Sequence, residues 1–155
     1  MKKTFLLIIT LFLVICKSNI AYTQQVEQNI GLKEGFNFVS FKVSPLLTPL
    51  QLKEQFSIIE DVYLYSTLAG SFLSANDGTL TSLSAGKGYI IKSKTAIDIN
   101  IGGATVQSIG DIKLKKGFNL VGFSKLLNSF KFKELIENNG IIKGIYKWHA
   151  VSGSF

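Results

Sequence analysis

The chain has 155 residues and a formal net charge of +7 at pH 7, with one histidine and one cysteine. All 17 basic residues are Lys. Arg supplies the bidentate fork that binds guanine and phosphate, so without it we expect no nucleic-acid partner. A single histidine excludes a His pair, and the sequence predicts neither a metal site nor a cofactor.

The N-terminus has the parts of a Sec signal peptide. Two lysines follow the first methionine, an apolar run of 13 residues spans residues 4–16, and small polar residues come next. A membrane-spanning helix needs about 20 apolar residues, so a signal peptide over residues 1–23 is favoured over an anchor. Cleavage after Ala21 or Thr23 predicts a protein that is secreted or displayed on the cell surface.

Cys16 allows a second interpretation, because it lies where a lipoprotein signal has its acylated cysteine. Ile15 precedes it where such signals have a small residue, so cleavage without lipidation is favoured. The mature chain then has no cysteine, which excludes disulfides, thiolate metal sites and a cysteine nucleophile. A membrane partner is expected only if Cys16 is lipidated.

One sequence pattern occurs twice in the chain. Three segments recur at a spacing of 82 or 83: residues 29–41 as 111–123, residues 63–65 as 146–148, and residues 70–72 as 153–155. Repetition of this kind is typical of tandem copies of one folding unit. The sequence predicts a first repeat unit over residues 24–110 and a second over residues 111–155. The second is incomplete at its C-terminus, because it stops before a counterpart of residues 86–92.

In the first unit, a short polar lead at residues 24–28 is followed by strands and one short helix. Thr48 at the N-cap and Pro49 at the first helical position predict where the helix begins. Leu80 and Leu83 are predicted core residues in a connecting loop. The predicted elements are a strand at 36–43, a helix at 48–56, and strands at 61–65, 71–73, 89–93 and 96–101, with Gly102 and Gly103 ending the last. The strands at 61–65 and 71–73 are predicted to pair across a turn at residues 67–70.

The second unit repeats this plan with a strand at residues 118–123, a helix at 130–137 and a strand at 145–148. Asn138, Asn139 and Gly140 provide the signal that ends its helix. The predicted fold class is therefore α+β and mainly β, built from two tandem β-rich units with one short helix each.

Aromatic residues are the candidate binding feature. Tyr63 and Tyr65 in the first unit match Tyr146 and Trp148 in the second, and Phe72 matches Phe155. Alternate residues on a strand share a face, so each pair could form a platform for sugar rings or a peptide. The alternative is that these rings pack against the helix or the other unit. That packing is favoured because the repeat preserves the positions.

No catalytic motif is complete. The turn at Gly86-Lys87-Gly88 lacks the flanking residues of a phosphate-binding loop, and no Gly-x-Ser-x-Gly elbow occurs. Asp98 and Asn100 share a strand face without the oxygen-rich loop of a calcium site. A small secreted hydrolase would have to depend on residues such as Asp98 and His149, and we expect no enzyme.

The pattern Leu-x-x-Gly-Phe-Asn-(Phe/Leu)-Val-(Ser/Gly), followed by Ala-Gly-Lys-Gly-Tyr-Ile-Ile, resembles a repeat of bacterial and archaeal secreted and cell-surface proteins. That repeat has Gly-Trp-Asn-Leu-Val and Gly-Lys-Gly-Tyr-Trp at these places. Phe36, Phe118 and Ile90 stand here where Trp is usual. The resemblance implies an extracellular, non-catalytic unit, often within longer surface proteins, and brings no catalytic residues.

The function expected from the sequence is structural or adhesive interaction with a cell-surface protein or glycan. A carbohydrate-binding module that uses the aromatic strand faces is the first alternative, and the hydrolase is the second. The incomplete second unit has three possible explanations. The sequence could come from a gene fragment, a partner or neighbouring repeat could complete the unit, or the second unit could close onto the first.

Overall fold

The computed structural model describes residues 25–106, 111–124, 130–149 and 152–155. The predicted signal peptide at residues 1–23, with Cys16, lies outside them. In the described part the fold is mainly β, which confirms the predicted class in its coarse form. Its elements are β1 (Gln25–Leu32), β2 (Gly35–Ser40), β3 (Val43–Pro45), α1 (Pro49–Gln55), β4 (Ile59–Ser66), β5 (Ser71–Ser74), β6 (Gly88–Ser93), β7 (Ile97–Thr105) and α2 (Phe132–Asn138). No helix among the described residues is long and apolar enough to span a membrane.

Two antiparallel sheets enclose one hydrophobic core. The three-stranded sheet has the order β1-β7-β3, and the four-stranded sheet has the order β2-β6-β4-β5. A single cluster of buried side chains contains Ile99 and Ile101 of the first sheet together with Val62 and Ile91 of the second. Because successive strand residues face opposite sides, each strand gives alternate apolar residues to this core and turns the others outward.

The predicted helix in the first unit is confirmed. Thr48 caps α1: its hydroxyl accepts from the Gln51 N–H at 3.2 Å, and the Gln51 side chain accepts from the Thr48 N–H at 2.9 Å. Leu52 is fully buried in the core, and Phe56 packs against it from the C-terminal end of the helix. The loop residues Leu80 and Leu83 are buried as predicted.

The predictions for the first and last strands were partly wrong. Residues 25–28 of the predicted polar lead belong to β1, whose eight residues pair along β7. Residues 36–43 form two strands, because the chain leaves the four-stranded sheet after Ser40 and joins the other sheet at Val43. Gly102 and Gly103 do not end β7, which continues to Thr105. All three errors have the same cause, because the bounds of these strands are set by pairing with residues that are distant in the sequence.

Gly103 on β7 lies close against the backbone of β3. A Cβ at this position would lie 2.3 Å from the Ser44 carbonyl oxygen, whereas one at Gly102 would meet only the flexible Gln25 side-chain nitrogen at 3.1 Å. We expect Gly103→Ala to lower the free energy of unfolding by about 1–3 kcal/mol, because backbone must move. Gly102→Ala, its matched control, should change it by about 0.5 kcal/mol or less. Urea denaturation of the two variants checks this, and equal losses would contradict it.

The predicted strands of the second unit, residues 118–123 and 145–148, are not formed, so that prediction was wrong. Within the described residues this region contributes only the isolated bridges Lys87–Val121 and His149–Ser154 to β-structure. In the first unit β6 lies between β2 and β4 and pairs with both. A strand needs a partner for its backbone N–H and C=O groups, and the described residues after 110 include no counterpart of β6. The helix, which needs no such partner, does form as α2.

Three local conformations nevertheless recur. The side-chain oxygens of Asn37 and Asn119 accept from the N–H four residues upstream, at 2.8 and 2.9 Å. Their amide nitrogens donate back to the carbonyl oxygens of Lys33 and Lys115, both at 2.8 Å. Helices α1 and α2 each have seven residues. The turn after β4 closes with Gly70 donating to Ser66 at 2.8 Å, and Gly153 donates to His149 at 3.0 Å in the same way.

Candidate functional site

The outer face of the four-stranded sheet is rich in aromatic side chains. The strand registers pair Phe38 with Ile90, Ile90 with Tyr63, and Tyr65 with Phe72, so these residues point away from the core together. We call this surface the aromatic face; its residues are Phe36, Phe38, Tyr63, Tyr65, Phe72, Ile90 and Lys92.

Tyr63 and Tyr65 lie on this face as predicted, and each has a phenylalanine neighbour. The ring centroids of Phe36 and Tyr63 are 6.5 Å apart, and those of Tyr65 and Phe72 are 5.2 Å apart in an edge-on arrangement. Phe36 is 53% exposed and Phe72 is 52% exposed, while the two tyrosines are half-buried between them. Phe72 is one of the aromatic residues named from the sequence, whereas Phe36 was missed, because the strand registers that bring it here cannot be deduced locally.

One end of the aromatic face is polar. The Lys92 ammonium contacts the Glu60 carboxylate at 2.8 Å and lies 5.8 Å from the centre of the Phe36 ring. The hydrogen bond to Glu60 and its charge raise the pKa of Lys92. Burial raises the pKa of the Tyr63 phenol, and the nearby Asp61 carboxylate raises it further. The rings at this end thus stand beside a cation, two carboxylates and a protonated phenol.

Asp61 is 3% exposed and has a structural role. Its carboxylate accepts from the Ser74 hydroxyl at 2.6 Å, from the Asn76 N–H at 3.1 Å and from the Val62 N–H at 2.7 Å. These bonds hold the loop after β5 against β4. Because the Asp61 carboxylate is buried and accepts three hydrogen bonds, we assign it to the anchoring of this loop.

Part of the aromatic face is covered by the C-terminal hairpin, the name used here for residues 148–149 and 152–155, which the bridge between His149 and Ser154 joins. The rings of Trp148 and Phe155 are 5.2 Å apart and lie 4.6 and 5.2 Å from the ring of Phe38. The interplanar angle of the Trp148–Phe155 pair is 67°, and that of the Tyr65–Phe72 pair is 65°. The same two-ring arrangement is therefore open in the first unit and packed against Phe38 in the second.

The structure separates the other predicted pair. Tyr146 is 70% exposed, with its ring close to Gly144, whereas Trp148 is half-buried against Phe38. The indole N–H of Trp148 is buried without a hydrogen-bond partner among the described residues. Trp148 therefore packs against a residue of the other unit, which was the alternative to a binding platform.

The residues considered for catalysis lie on different elements. Asp98 is exposed on β7 of the three-stranded sheet, and His149 is exposed on the C-terminal hairpin, where its ring nitrogen contacts the Ser152 hydroxyl at 3.1 Å. Among the described residues no group of three or more His, Cys, Asp and Glu side chains could hold a metal ion. Gly86 has a φ of +81°, as expected for a tight turn.

No protein-family model, curated protein or solved structure matches this chain. The aromatic face and its partly covered edge are therefore the features on which a function can be based.

Proposed function

We propose that this protein is a secreted or cell-surface module that makes structural or adhesive contacts through the aromatic face, without catalysis. One observation carries the proposal: four adjacent rings form an open surface on the same sheet face that the C-terminal hairpin already covers at Phe38. The contact of Trp148 and Phe155 with Phe38 is thus an example, within this chain, of the ring-to-ring contact that we propose for the exposed rings.

The exposure of these rings supports this role. Phe36 and Phe72 each leave about half of their surface in water. Large apolar side chains that form a continuous exposed patch with a polar rim mark interaction sites, and aromatic residues are enriched there. The half-buried tyrosines between them hold the patch rigid, so little side-chain entropy is lost on contact.

We further propose that residues 24–110 and 111–155 are two tandem units of one repeat architecture. Support comes from the recurring sequence and from the three local conformations that recur with it. The predicted signal peptide and the resemblance to repeats of secreted and cell-surface proteins support an extracellular location.

The test is binding of the fluorescently labelled mature chain, residues 24–155, to intact cells of the source organism. We expect the double variant Phe36→Ser, Phe72→Ser to bind at least about tenfold more weakly, because truncating a central interface aromatic typically costs more than 1 kcal/mol. The control is Leu46→Ser, which removes an exposed leucine outside the aromatic face. Undiminished binding by the folded double variant would overturn the proposal.

Glycan recognition is the second candidate, because Tyr63 and the Lys92–Glu60 pair place hydrogen-bonding groups beside the Phe36 ring. Sugars are recognised by such a combination of apolar ring and polar neighbour. If this candidate is right, soluble oligosaccharides should compete for cell binding by the unchanged chain, and Tyr63→Ala should itself weaken cell binding. If the contact is with protein, no oligosaccharide competes.

A further inference from the structure

Strand β1 has one edge without a partner. It lies at the end of the three-stranded sheet, and all eight of its residues pair with β7 on one side. Among the described residues, no backbone hydrogen bond joins β1 to any element other than β7. In an antiparallel ladder the N–H and C=O groups of alternate residues point to opposite sides of the strand, so one set of these groups in β1 remains available to another strand.

The other edge strands of the two sheets are short or already in contact with another part of the chain. β3 has three residues and ends in Pro45, and β5 has four residues. The C-terminal hairpin packs against Phe38 of β2. β1 is longer than any of them and has no proline, no lysine and no bulge in its pairing with β7. Since short length, proline and lysine are the usual means of preventing edge-to-edge pairing, β1 is the described edge best suited to pair with a further strand.

The residues that β1 turns to solvent complement those of a second, antiparallel β1. With Asn29 opposite Asn29 of a second copy, Glu27 lies opposite Gly31, which has no side chain, and diagonal to Lys33. This register keeps the core-facing residues of both strands on the same side of the joined sheet. Glu27 and Lys33 are exposed, and neither forms an ion pair among the described residues. The pairing would therefore bring opposite charges together twice.

The asparagine side chains favour the same register. Asn29 donates to Asn100 of β7 at 2.9 Å on the exposed face of the sheet. In two copies paired at Asn29, four asparagines would stand in one row across the joined sheet, and amides in such a row both donate and accept hydrogen bonds. The alternative register, with Glu27 opposite Asn29, would break this row and place the two Glu27 carboxylates diagonal to each other.

We propose that two copies of this chain pair through the open edges of β1, antiparallel and with Asn29 opposite Asn29, so that their three-stranded sheets join into one six-stranded sheet. The same surface is used by both copies, so the assembly closes as a dimer. One strand edge makes a small interface, and we expect a dissociation constant in the micromolar range. The inference goes beyond the proposed function and does not depend on the aromatic face, which lies on the other sheet.

Two single-cysteine variants of residues 24–155, which otherwise contain no cysteine, test the register. In the dimer, Asn29→Cys places the two Cβ atoms about 5 Å apart, whereas Asn100→Cys places them three strand spacings apart, about 14 Å. Both positions are exposed on one face, and both variants lose the same hydrogen bond. Under mild oxidation we expect Asn29→Cys to form a disulfide-linked dimer at least about tenfold faster than Asn100→Cys. Equal rates would overturn the inference.

Charge reversal tests whether the copies meet at β1. Glu27→Lys and Lys33→Glu each place like charges at both diagonal contacts of their own dimer. By sedimentation, each variant alone should dimerise at least about threefold more weakly than the unchanged chain, and less so at about 1 M salt. An equimolar mixture should regain the affinity of the unchanged chain, because every contact between the two variants then joins opposite charges. Glu54→Lys, the same charge change on α1, is the control and should leave dimerisation unchanged.

Three results would overturn the inference: a chain that stays monomeric up to about 1 mM, a mixture that dimerises no better than its components, or equal weakening by Glu54→Lys. The Phe36→Ser, Phe72→Ser variant should dimerise like the unchanged chain. Loss of its dimer would show that the copies meet through the aromatic face, and would also overturn pairing at β1. Cell binding is measured separately from dimerisation, so failure of the proposed function and failure of this inference are distinguished.

Discussion

Replacing Asn37 by Ala is expected to lower the free energy of unfolding by about 3 kcal/mol or more, and the same replacement of Asn119 by about 1 kcal/mol or less. Asn37 is 3% exposed, and its side chain contacts the Lys33 N–H and three carbonyl oxygens, one of them on β6. Removing it leaves the buried Ile91 carbonyl and the part-buried backbone groups of Lys33 and Gly35 without this partner. At Asn119 the same groups are exposed, so water can replace the side chain.

Urea denaturation, monitored by circular dichroism, measures both losses under one condition. The two asparagines provide matched controls, because their turns have the same sequence positions and hydrogen bonds, and differ in burial and in the bond to β6. Equal losses in the two variants would show that the turn itself, and not its burial beside β6, determines the contribution of the asparagine.

Replacing Asp61 by Ala is expected to lower the free energy of unfolding by about 3 kcal/mol, because hydrogen bonds to a charged group contribute about 1.5–3 kcal/mol and their buried donors are left unpaired. The Ser74 hydroxyl and the Asn76 N–H lose their acceptor. The loop after β5 should then loosen, with faster hydrogen exchange at residues 75–79.

Asp98→Ala is the control for this second prediction, because Asp98 is exposed on the other sheet. Its free energy of unfolding should change by about 0.5 kcal/mol or less. A large loss at Asp98, or a small one at Asp61, would contradict the structural role assigned to the Asp61 carboxylate.

The parts of the fold that sequence could predict are those set by neighbours along the chain. The capping residues of α1, the hairpin of β4 and β5, and the buried leucines of the loop before β6 are local signals, and all were correct. The first residues of strand β1 were missed because β1 is an edge strand with exposed polar residues, and its sequence does not show that it pairs with β7. The strands of the second unit were predicted from good β-forming residues, which cannot form a sheet without a partner.

The same limit applies to the site. The period of two along a strand correctly placed Tyr63 and Tyr65 on one face. It could not show that Phe36 completes the patch beside Tyr63, since that depends on the registers of β2 and β4 against β6. It also could not show that Trp148 packs against Phe38, a contact between residues 110 positions apart.

The pairing of β1 with β7 has a mechanical consequence. Gln25 lies opposite Ala104, so the chain enters and leaves the first unit at the same end of one ladder. Tension applied at Gln25 and Ala104 would act first on this terminal pair. The backbone hydrogen bonds of the ladder would then break one pair after another, because the force does not act on all of them at once. Under such a load we expect the β1–β7 ladder to open at low force and the chain to lengthen.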